Sequence, residues 1–300
     1  MTNAFYNKFN LSGFSKKAVN ALIEEVLEYN KNKKLTELAN SIDVKSCNQW
    51  GDWVKESVME PKSMDKIYLE GKDYLLNDIH NFLNSESFYK MNNIIYKRGY
   101  LFTGPPGNGK SSFIMSLARS LNKSVNFLNL NNISDSNIRE AFRNLKSNSL
   151  LVIEDVDAAF GDRVSNKDIR FSFSTLLNCL DGVFSKEDII VIFTSNYPER
   201  LDEALIREGR VDLKFEFKNP NKDMIELYLS DQFTEFNPTE FNDLFGDYEP
   251  KLPMVNIQGI ILKSRGKSLR DIMKEIINEN KSFIPKLPKE VRTKKSKLNG

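Results

Sequence analysis

The glycine-rich segment at residues 104–111, Gly-Pro-Pro-Gly-Asn-Gly-Lys-Ser, constrains the fold of this 300-residue chain more than any other feature. It fits the pattern G-x-x-x-x-G-K-[ST], and it lies between a short apolar run, residues 99–103, and a segment of helical period, residues 113–121. A glycine-rich turn between a strand and a helix presents backbone N–H groups at the positive end of the helix dipole. The segment therefore predicts a phosphate-binding loop in an α/β fold.

The residue types of this loop predict a nucleoside triphosphate as its ligand. Lys110 is expected to reach the β- and γ-phosphates of ATP, and the Ser111 hydroxyl is expected to ligate Mg²⁺. An ordinary glycine-rich turn without a ligand is the alternative. The residues predicted to bind the nucleotide are Gly104, Pro105, Pro106, Gly107, Asn108, Gly109, Lys110, Ser111 and Ser112.

Apolar runs alternate with segments of helical period between residues 63 and 219. This alternation is typical of parallel strands that helices cover on both faces, so we expect a P-loop nucleotide-binding sheet flanked by helices. The predicted strands are 99–103, 125–130, 150–153, 189–194 and 211–217, and the predicted helices are 113–121, 135–146, 170–180 and 199–207.

The remaining segments predict smaller units at either end of this core. An amphipathic helix is expected over about residues 15–30, and Trp50 and Trp53 are expected to cap a small core of their own. After Pro220 the strand pattern stops, and four helices are expected at 224–233, 239–245, 255–263 and 269–277. The predicted units are an N-terminal helical, substrate-interacting appendage (1–62), an α/β ATPase core (63–219), an all-α lid (220–280) and a basic, disordered tail (281–300).

The charge of the chain is concentrated in its tail. Residues 281–300 hold seven basic side chains and one acidic one, a charge of +6, whereas the chain as a whole carries +2. A basic tail is typical of a solvated end, and an arm that binds nucleic acid or an acidic partner is the alternative. Because the other 280 residues carry a net charge of −4, nucleic acid is not the favoured partner.

Several classes of protein are excluded by composition. The longest aliphatic and aromatic run is Ile189–Phe193, which is too short to span a bilayer core of about 30 Å. Two cysteines, Cys47 and Cys179, exclude a disulfide scaffold and favour a reducing compartment, and a single histidine, His80, excludes a multi-histidine metal site. No signal or transit pattern is found at the N-terminus, so we expect a soluble cytoplasmic protein without a membrane partner.

Two carboxylates directly follow the apolar run at residues 150–153. By position, Glu154 is expected in the Mg²⁺ shell, and Asp155 is expected to act on the attacking water. Asp155 is one methylene shorter than the glutamate usual at this place, which affects geometry and rate. The alternative is a pair of acids that cap the following loop, and Asp157 is expected to be structural.

Polar and basic residues follow the next strand. Asn196 either orients the attacking water between Asp155 and the γ-phosphate or caps the following helix, and the sequence leaves both open. Arg207 and Arg210 lie three residues apart around Gly209. Because Lys110 serves the chain's own loop, these arginines are expected to reach the γ-phosphate of a neighbouring subunit, which requires a ring.

Together these segments resemble the AAA family of ATPases, and within it the mitochondrial complex III assembly chaperones that translocate the Rieske iron–sulfur protein. The likeness rests on YKRGYLFTGPPGNGKSSFI, LNLNNISDSNIREAF, IEDVDAAF, FTSNYPERLDEALIREGRVD and the IQG run at Ile257–Gly259, and it covers about residues 60–275. The order of Glu154 and Asp155, reversed in comparison with most of the superfamily, is normal for that chaperone family.

The resemblance implies ATP with Mg²⁺, a ring of six or seven subunits, and remodelling or translocation of folded proteins. That family carries an N-terminal membrane helix and a larger N-terminal domain, which the pattern here does not predict, so bilayer translocation and the same substrate are not expected. Residues 129–135 lack the aromatic–hydrophobic–glycine loop with which unfoldases grip extended chains, which disfavours threading. Arg265 or Arg270 would be the lid arginine that senses nucleotide, or else a surface charge.

Three functions follow from these residues. The favoured function is an ATP-hydrolysing ring that remodels, assembles or translocates an unidentified protein substrate. A slow nucleotide-dependent scaffold or switch is the second, because Asp155 is short. A nucleic-acid motor is the third, and only the basic tail supports it.

Overall fold

A computed structural model describes residue 18 and the ranges 20–29, 40–130, 133–160, 172–181 and 187–285. Residue 18 and residues 20–29 are helical, as the sequence predicts for this segment, and we name residues 20–29 helix α1. Its apolar side chains Leu22, Ile23 and Leu27 are 47–63% exposed. Helix α1 therefore adds nothing to the core of the described chain.

The core of the described chain is a seven-stranded sheet. Its strands are β1 (Ile42–Cys47), β2 (Trp53–Met59), β3 (Lys97–Thr103), β4 (Ser124–Phe127), β5 (Ser149–Ile153), β6 (Ile189–Ser195) and β7 (Leu213–Glu216). Their order is β2-β1-β4-β5-β6-β3-β7, and every neighbouring pair is parallel except β1 with β2. The predicted parallel α/β sheet is confirmed, and all five predicted strands belong to it.

Helices cover both faces of this sheet, as predicted. One apolar cluster includes Phe142 and Leu176, and the cluster on the other face includes Leu75 and Phe113. All four side chains are at most 2% exposed. The helices of this part are α2 (Lys72–Leu83), α3 (Glu86–Met91), α4 (Lys110–Ser120), α5 (Asp135–Asn144), α6 (Val156–Phe160) and α7 (Phe173–Asp181).

The sheet begins earlier than the sequence predicts. Strand β1 pairs in parallel with β4, with Val44 opposite Val125, and the indole Nε1 of Trp53 donates to the Ala141 carbonyl at 2.9 Å. The expectation of a separate helical appendage up to residue 62 is therefore wrong for residues 42–59. Because β1 alternates buried Ile42 and Val44 with polar residues, it has no continuous apolar run of the kind found in the central strands.

The helix predicted over residues 199–207 is also wrong. A 3₁₀ turn, Pro198–Arg200, is followed by further turns, and the Leu205 N–H donates to the Asp202 carbonyl three residues earlier. The Asp202 carboxylate accepts from the Ala204 N–H, which stabilises a turn in competition with a helix. Buried Leu205 still packs into the core, and this produced the misleading helical spacing.

Four helices after residue 220 form the predicted lid. They are α8 (Lys222–Gln232), α9 (Pro238–Phe245), α10 (Met254–Lys263) and α11 (Leu269–Ser282). The lid has its own apolar core, in which the rings of Phe241 and Phe245 stack with centroids 4.3 Å apart. The side chains of Asn221 and Ser268 cap α8 and α11 by accepting backbone N–H groups.

The predicted basic tail lies outside the described residues from 286 onward, and its first two residues belong to α11. Among the described helices, none is both long enough and apolar enough to cross a membrane. Cys47 and Cys179 are unpaired thiols, and burial raises the pKa of each to about 11. Both thiols therefore stay protonated at neutral pH.

Candidate nucleotide-binding site

The predicted phosphate loop connects β3 to α4. Gly104, Gly107 and Gly109 have φ values of 126°, 87° and 89°, a region that residues with a Cβ rarely adopt. A Cβ at Gly104 would also overlap the Phe217 carbonyl oxygen. The backbone path of the loop therefore requires these glycines. Along this path the N-terminus of α4 faces a cavity.

Lys110 is the buried cation of this loop. Its Nζ donates to the Gly104 carbonyl at 2.6 Å and to Asn196 Oδ1 at 2.7 Å, and the residue is 8% exposed. Burial lowers the pKa of Lys110, and the charges of Asp155 and Asp157 oppose that shift. The ammonium group is therefore held inside the loop, where anionic phosphates would favour its charged form.

The two carboxylates after β5 lie at the same end of the sheet and make different contacts. Ser111 Oγ donates to Glu154 Oε1 at 3.0 Å. The backbone N–H of Asp155 donates to Thr194 Oγ1 at 3.0 Å, and Asp155 has a φ of 48°. Asp and Asn adopt this left-handed conformation more readily than longer residues do. The backbone at this position therefore favours the shorter acid.

Ser111 and Glu154 fit the ligand chemistry of Mg²⁺, which takes oxygen donors and is usually bound through one or two carboxylates together with substrate phosphates. Their two oxygens are adjacent and open to the cavity. Among the described residues, no group of three or more His, Cys, Asp or Glu side chains could hold a metal ion. Phosphate oxygens and water would therefore have to complete the magnesium shell.

Asn196 lies at the end of β6 and joins the loop to the acids. Its Oδ1 accepts from Lys110, and its Nδ2 donates to Asp155 Oδ1 at 3.1 Å. Its backbone N–H donates to Asp157 Oδ1 at 3.1 Å, and Asp157 is 5% exposed. The side chain faces the site instead of capping the next turn. Asp157 holds the backbone of Asn196, which agrees with the structural part predicted for it.

These side chains line a cavity of about 530 Å³ between the sheet and the lid. The loop motif led to the lining residues Pro106–Ser112, and the strand ends led to Glu154, Asp155 and Asn196. Sequence reasoning missed the opposite wall, because no motif marks it. The missed residues are Lys62, Lys66, Ile67, Tyr68, Leu69, Thr194, Phe217, Met254, Val255 and Gln258.

The predicted arginines do not line this cavity. Arg210 Nε donates to Asp181 Oδ2 at 2.6 Å, its guanidinium also donates to the Ala204 carbonyl, and its side chain is 11% exposed. Arg210 is therefore held by contacts within its own chain, whereas Arg207 is exposed, and action of either arginine on a neighbouring subunit stays a prediction. In the lid, Arg270 pairs with Glu240 at 2.7 Å and is a surface charge.

The phosphate loop, the acid pair and Asn196 therefore meet at the ends of the neighbouring strands β5, β6 and β3. Residues 100–219, which hold all of them, match the family described as ATPase family associated with various cellular activities (AAA). These residues form an AAA domain. The predicted AAA resemblance is confirmed, and the AAA family is a family of nucleotide-hydrolysing ATPases.

The similarity of the chain to known proteins extends beyond this AAA domain. The chain is 35% identical over 229 residues, 72% of its length, to a "Probable mitochondrial chaperone bcs1" of Schizosaccharomyces pombe. It is 35% identical over 267 residues, 82% of its length, to a "Probable mitochondrial chaperone BCS1-A" of Dictyostelium discoideum. It is also 45% identical over 152 residues, 47% of its length, to the human "Mitochondrial chaperone BCS1".

The alignments span 50%, 61% and 36% of these three relatives. The predicted resemblance to a mitochondrial chaperone family is therefore confirmed for the AAA domain and its flanks. The chain therefore spans between 36% and 61% of the length of these relatives.

Lys66, Tyr68 and Asp231 connect the cavity wall that the sequence did not predict to the lid, and we call these three residues the latch. Asp231, at the end of α8, accepts from Lys66 Nζ and, at 2.6 Å, from the Tyr68 hydroxyl. The ring of Tyr68 meets Tyr228 edge-on, with centroids 5.2 Å apart. The hydrogen bonds and the negative charge of Asp231 raise the pKa of Lys66, and the two donors lower the pKa of Asp231.

We expect Asp231→Ala to weaken ATP binding about fivefold, because the wall segment loses the acceptor that ties it to the lid. Isothermal titration with a non-hydrolysable ATP analogue measures the change. Asp243→Ala is the matched control, since Asp243 is an exposed acid on the neighbouring helix α9. Equal affinities for the two variants would mean that the latch does not shape the binding site.

Proposed function

We propose that this chain is an ATP-hydrolysing AAA protein that remodels, assembles or translocates a protein substrate. The observation that carries the proposal is the continuous contact from Lys110 through Asn196 to Asp155 at the cavity wall. It links the group suited to phosphate binding with the group suited to activating water. The mitochondrial chaperone names of the relatives support the protein substrate.

In ATP hydrolysis each of these residues would have a separate role. Lys110 binds the β- and γ-phosphates, and Ser111 with Glu154 holds Mg²⁺, which neutralises charge on the phosphate oxygens when bound. Asp155 accepts a proton from the attacking water, whose oxygen bonds to the γ-phosphorus while the bond to the bridging oxygen of ADP breaks. Asn196 Nδ2 donates to Asp155 and fixes the direction of that carboxylate.

Assembly into a ring of six or seven copies is part of this proposal, with Arg207 as the residue that reaches the γ-phosphate of the neighbouring copy. AAA proteins commonly oligomerise and act on protein substrates. Arg207 supports this role because it is exposed, whereas Arg210 is held by Asp181 within its own subunit. Arg210 then acts by shaping the loop that carries Arg207.

We expect Arg207→Ala to lower steady-state ATP turnover about 1,000-fold, because an arginine supplied in trans stabilises charge in the transition state. Mixing this variant with Lys110→Ala subunits restores turnover, because the latter donate an intact Arg207 to an intact neighbouring site. Phosphate release measures both. Arg143→Ala, at an exposed position on helix α5 outside the cavity, is the control. Wild-type turnover in Arg207→Ala, or no recovery in the mixture, would contradict action in trans.

A slow nucleotide-dependent scaffold is the second candidate, and the short side chain of Asp155 favours it. In that case the wild-type protein assembles with ATP but releases phosphate slowly, and Arg207→Ala changes the slow rate very little.

The cytoplasmic location stays a prediction, since the relatives' names place those proteins in mitochondria. Nucleic-acid binding through the tail also stays a prediction, and truncation at residue 280 with DNA titrations at several salt concentrations tests it.

A further inference from the structure

Asn108 lies within the phosphate loop on the wall of the cavity, and its side-chain amide bonds to residues outside the loop. The residue is 8% exposed. Its Nδ2 donates to the Phe217 carbonyl at 3.2 Å and to Asn219 Oδ1 at 2.9 Å, and its Oδ1 accepts from the Met254 N–H at 3.1 Å. Both donors and one acceptor site of the amide are therefore used by groups outside the loop.

The acceptor side of Asn108 meets the first turn of lid helix α10. The first N–H groups of a helix have no partner within it, and they need an external acceptor. The residue before this helix, Pro253, offers no side-chain cap. Asn108 Oδ1 accepts from Met254, and the Gly107 carbonyl accepts from the Val255 N–H at 3.1 Å. The phosphate loop itself thus caps the lid helix.

Close packing reinforces this cap. A Cβ at Gly107 would overlap Val255 Cγ1, so the loop and the helix start are in direct contact. Asn219, which accepts from Asn108, donates its own Nδ2 to the Lys251 carbonyl at 2.9 Å, just before the helix. The lid helix therefore cannot shift relative to the loop without breaking at least one of these bonds.

We infer that Asn108 is a positioning residue that couples the conformation of the phosphate loop to the orientation of the lid. When the loop binds phosphates, the positions of Gly107 and Asn108 become fixed. Because these two residues cap α10, the start of that helix becomes fixed as well. The lid side chains of Val255 and Gln258 line the same cavity, so the coupling shapes the nucleotide site in return. The inference rests on the proposed function only in taking ATP as the ligand.

Hydrogen–deuterium exchange of the full chain tests this coupling with a non-hydrolysable ATP analogue as the probe. The readout is exchange in peptides from residues 254–263, with residues 189–195 of β6 as the internal reference. The variants are Asn108→Ala, which removes all three bonds, and Asn108→Thr, whose hydroxyl both donates and accepts. Asn256→Ala is the matched control, an exposed asparagine on the same helix.

In the wild-type chain we expect the ATP analogue to slow exchange at 254–263. In Asn108→Ala, exchange there is expected to rise about tenfold while β6 is unchanged, and the protection by nucleotide is expected to disappear although the analogue still binds. Asn108→Thr recovers part of the protection, and Asn256→Ala behaves like the wild type.

Nucleotide protection retained in Asn108→Ala would overturn the inference, as would a wild-type lid that does not respond to bound nucleotide. If Asn108→Ala raises exchange in β6 as well, the Thr variant decides, and a folded Thr variant without partial protection contradicts the coupling. None of these readouts requires hydrolysis. A chain that binds the analogue but releases no phosphate would therefore overturn the proposed function and leave this inference standing.

Discussion

Replacing Lys110 with alanine is expected to weaken ATP binding by about 100-fold and to abolish measurable turnover. The ammonium group of Lys110 is buried in the loop, 2.6 Å from the Gly104 carbonyl oxygen and 2.7 Å from Asn196 Oδ1. Charge-assisted hydrogen bonds to phosphate are among the strongest in proteins, and the variant loses them all at once. Titration with a fluorescent ATP analogue measures affinity, and phosphate release measures turnover.

Lys218→Ala is the control for this variant, since Lys218 is exposed and lies outside the cavity. We expect it to bind ATP and to turn over like the wild type. Thermal unfolding without nucleotide confirms that both variants fold. ATP affinity of Lys110→Ala within threefold of the wild type would mean that this loop is not the phosphate site.

Asp155→Asn is expected to lower turnover by about 100- to 1,000-fold while ATP affinity is kept, because it removes the general base and leaves the shape of the site. Asn also adopts the left-handed backbone conformation found at this position, a φ of 48°. Lengthening the acid with Asp155→Glu places a longer side chain in that strained conformation. We therefore expect the Glu variant to turn over more slowly than the wild type.

Glu154→Gln separates the two carboxylates. Because Glu154 contacts Ser111 and not Asn196, we expect this variant to need a higher Mg²⁺ concentration for half-maximal turnover. Asp155→Asn keeps the wild-type Mg²⁺ requirement for nucleotide binding. If Asp155→Asn turns over normally and Glu154→Gln does not turn over at any Mg²⁺ concentration, the assigned roles are reversed.

The parts of the fold that could be predicted are those in which the sequence pattern is local and strong. Continuous apolar runs such as residues 189–193 are typical of central parallel strands, and the lid helices follow from helical period. Strands β1 and β2 were missed because neither has a continuous apolar run: β1 alternates buried and half-buried residues, and β2, at the sheet edge, is largely exposed. Residues 199–207 have helical spacing, but the Asp202 turn prevails over it.

The candidate site also contains residues that the sequence predicts and residues that it does not. Lys110, Ser111, Glu154, Asp155 and Asn196 were predicted because their chemistry is tied to a motif or to a strand end, and the structure brings them together. The wall at residues 66–69 carries no motif, and only folding brings it to the cavity. The bond between Arg210 and Asp181 joins residues 29 apart in sequence, so the local pattern could not reveal it.

The most direct test of the central claim, ATP hydrolysis by an assembled AAA protein, is steady-state phosphate release measured over a range of protein concentrations. The same samples are sized by light scattering. We predict that turnover per chain rises as larger assemblies form, because Arg207 of one copy completes the site of the next. Near-zero turnover that stays flat in the fully assembled protein would contradict this account, and the site would then be an assembly switch.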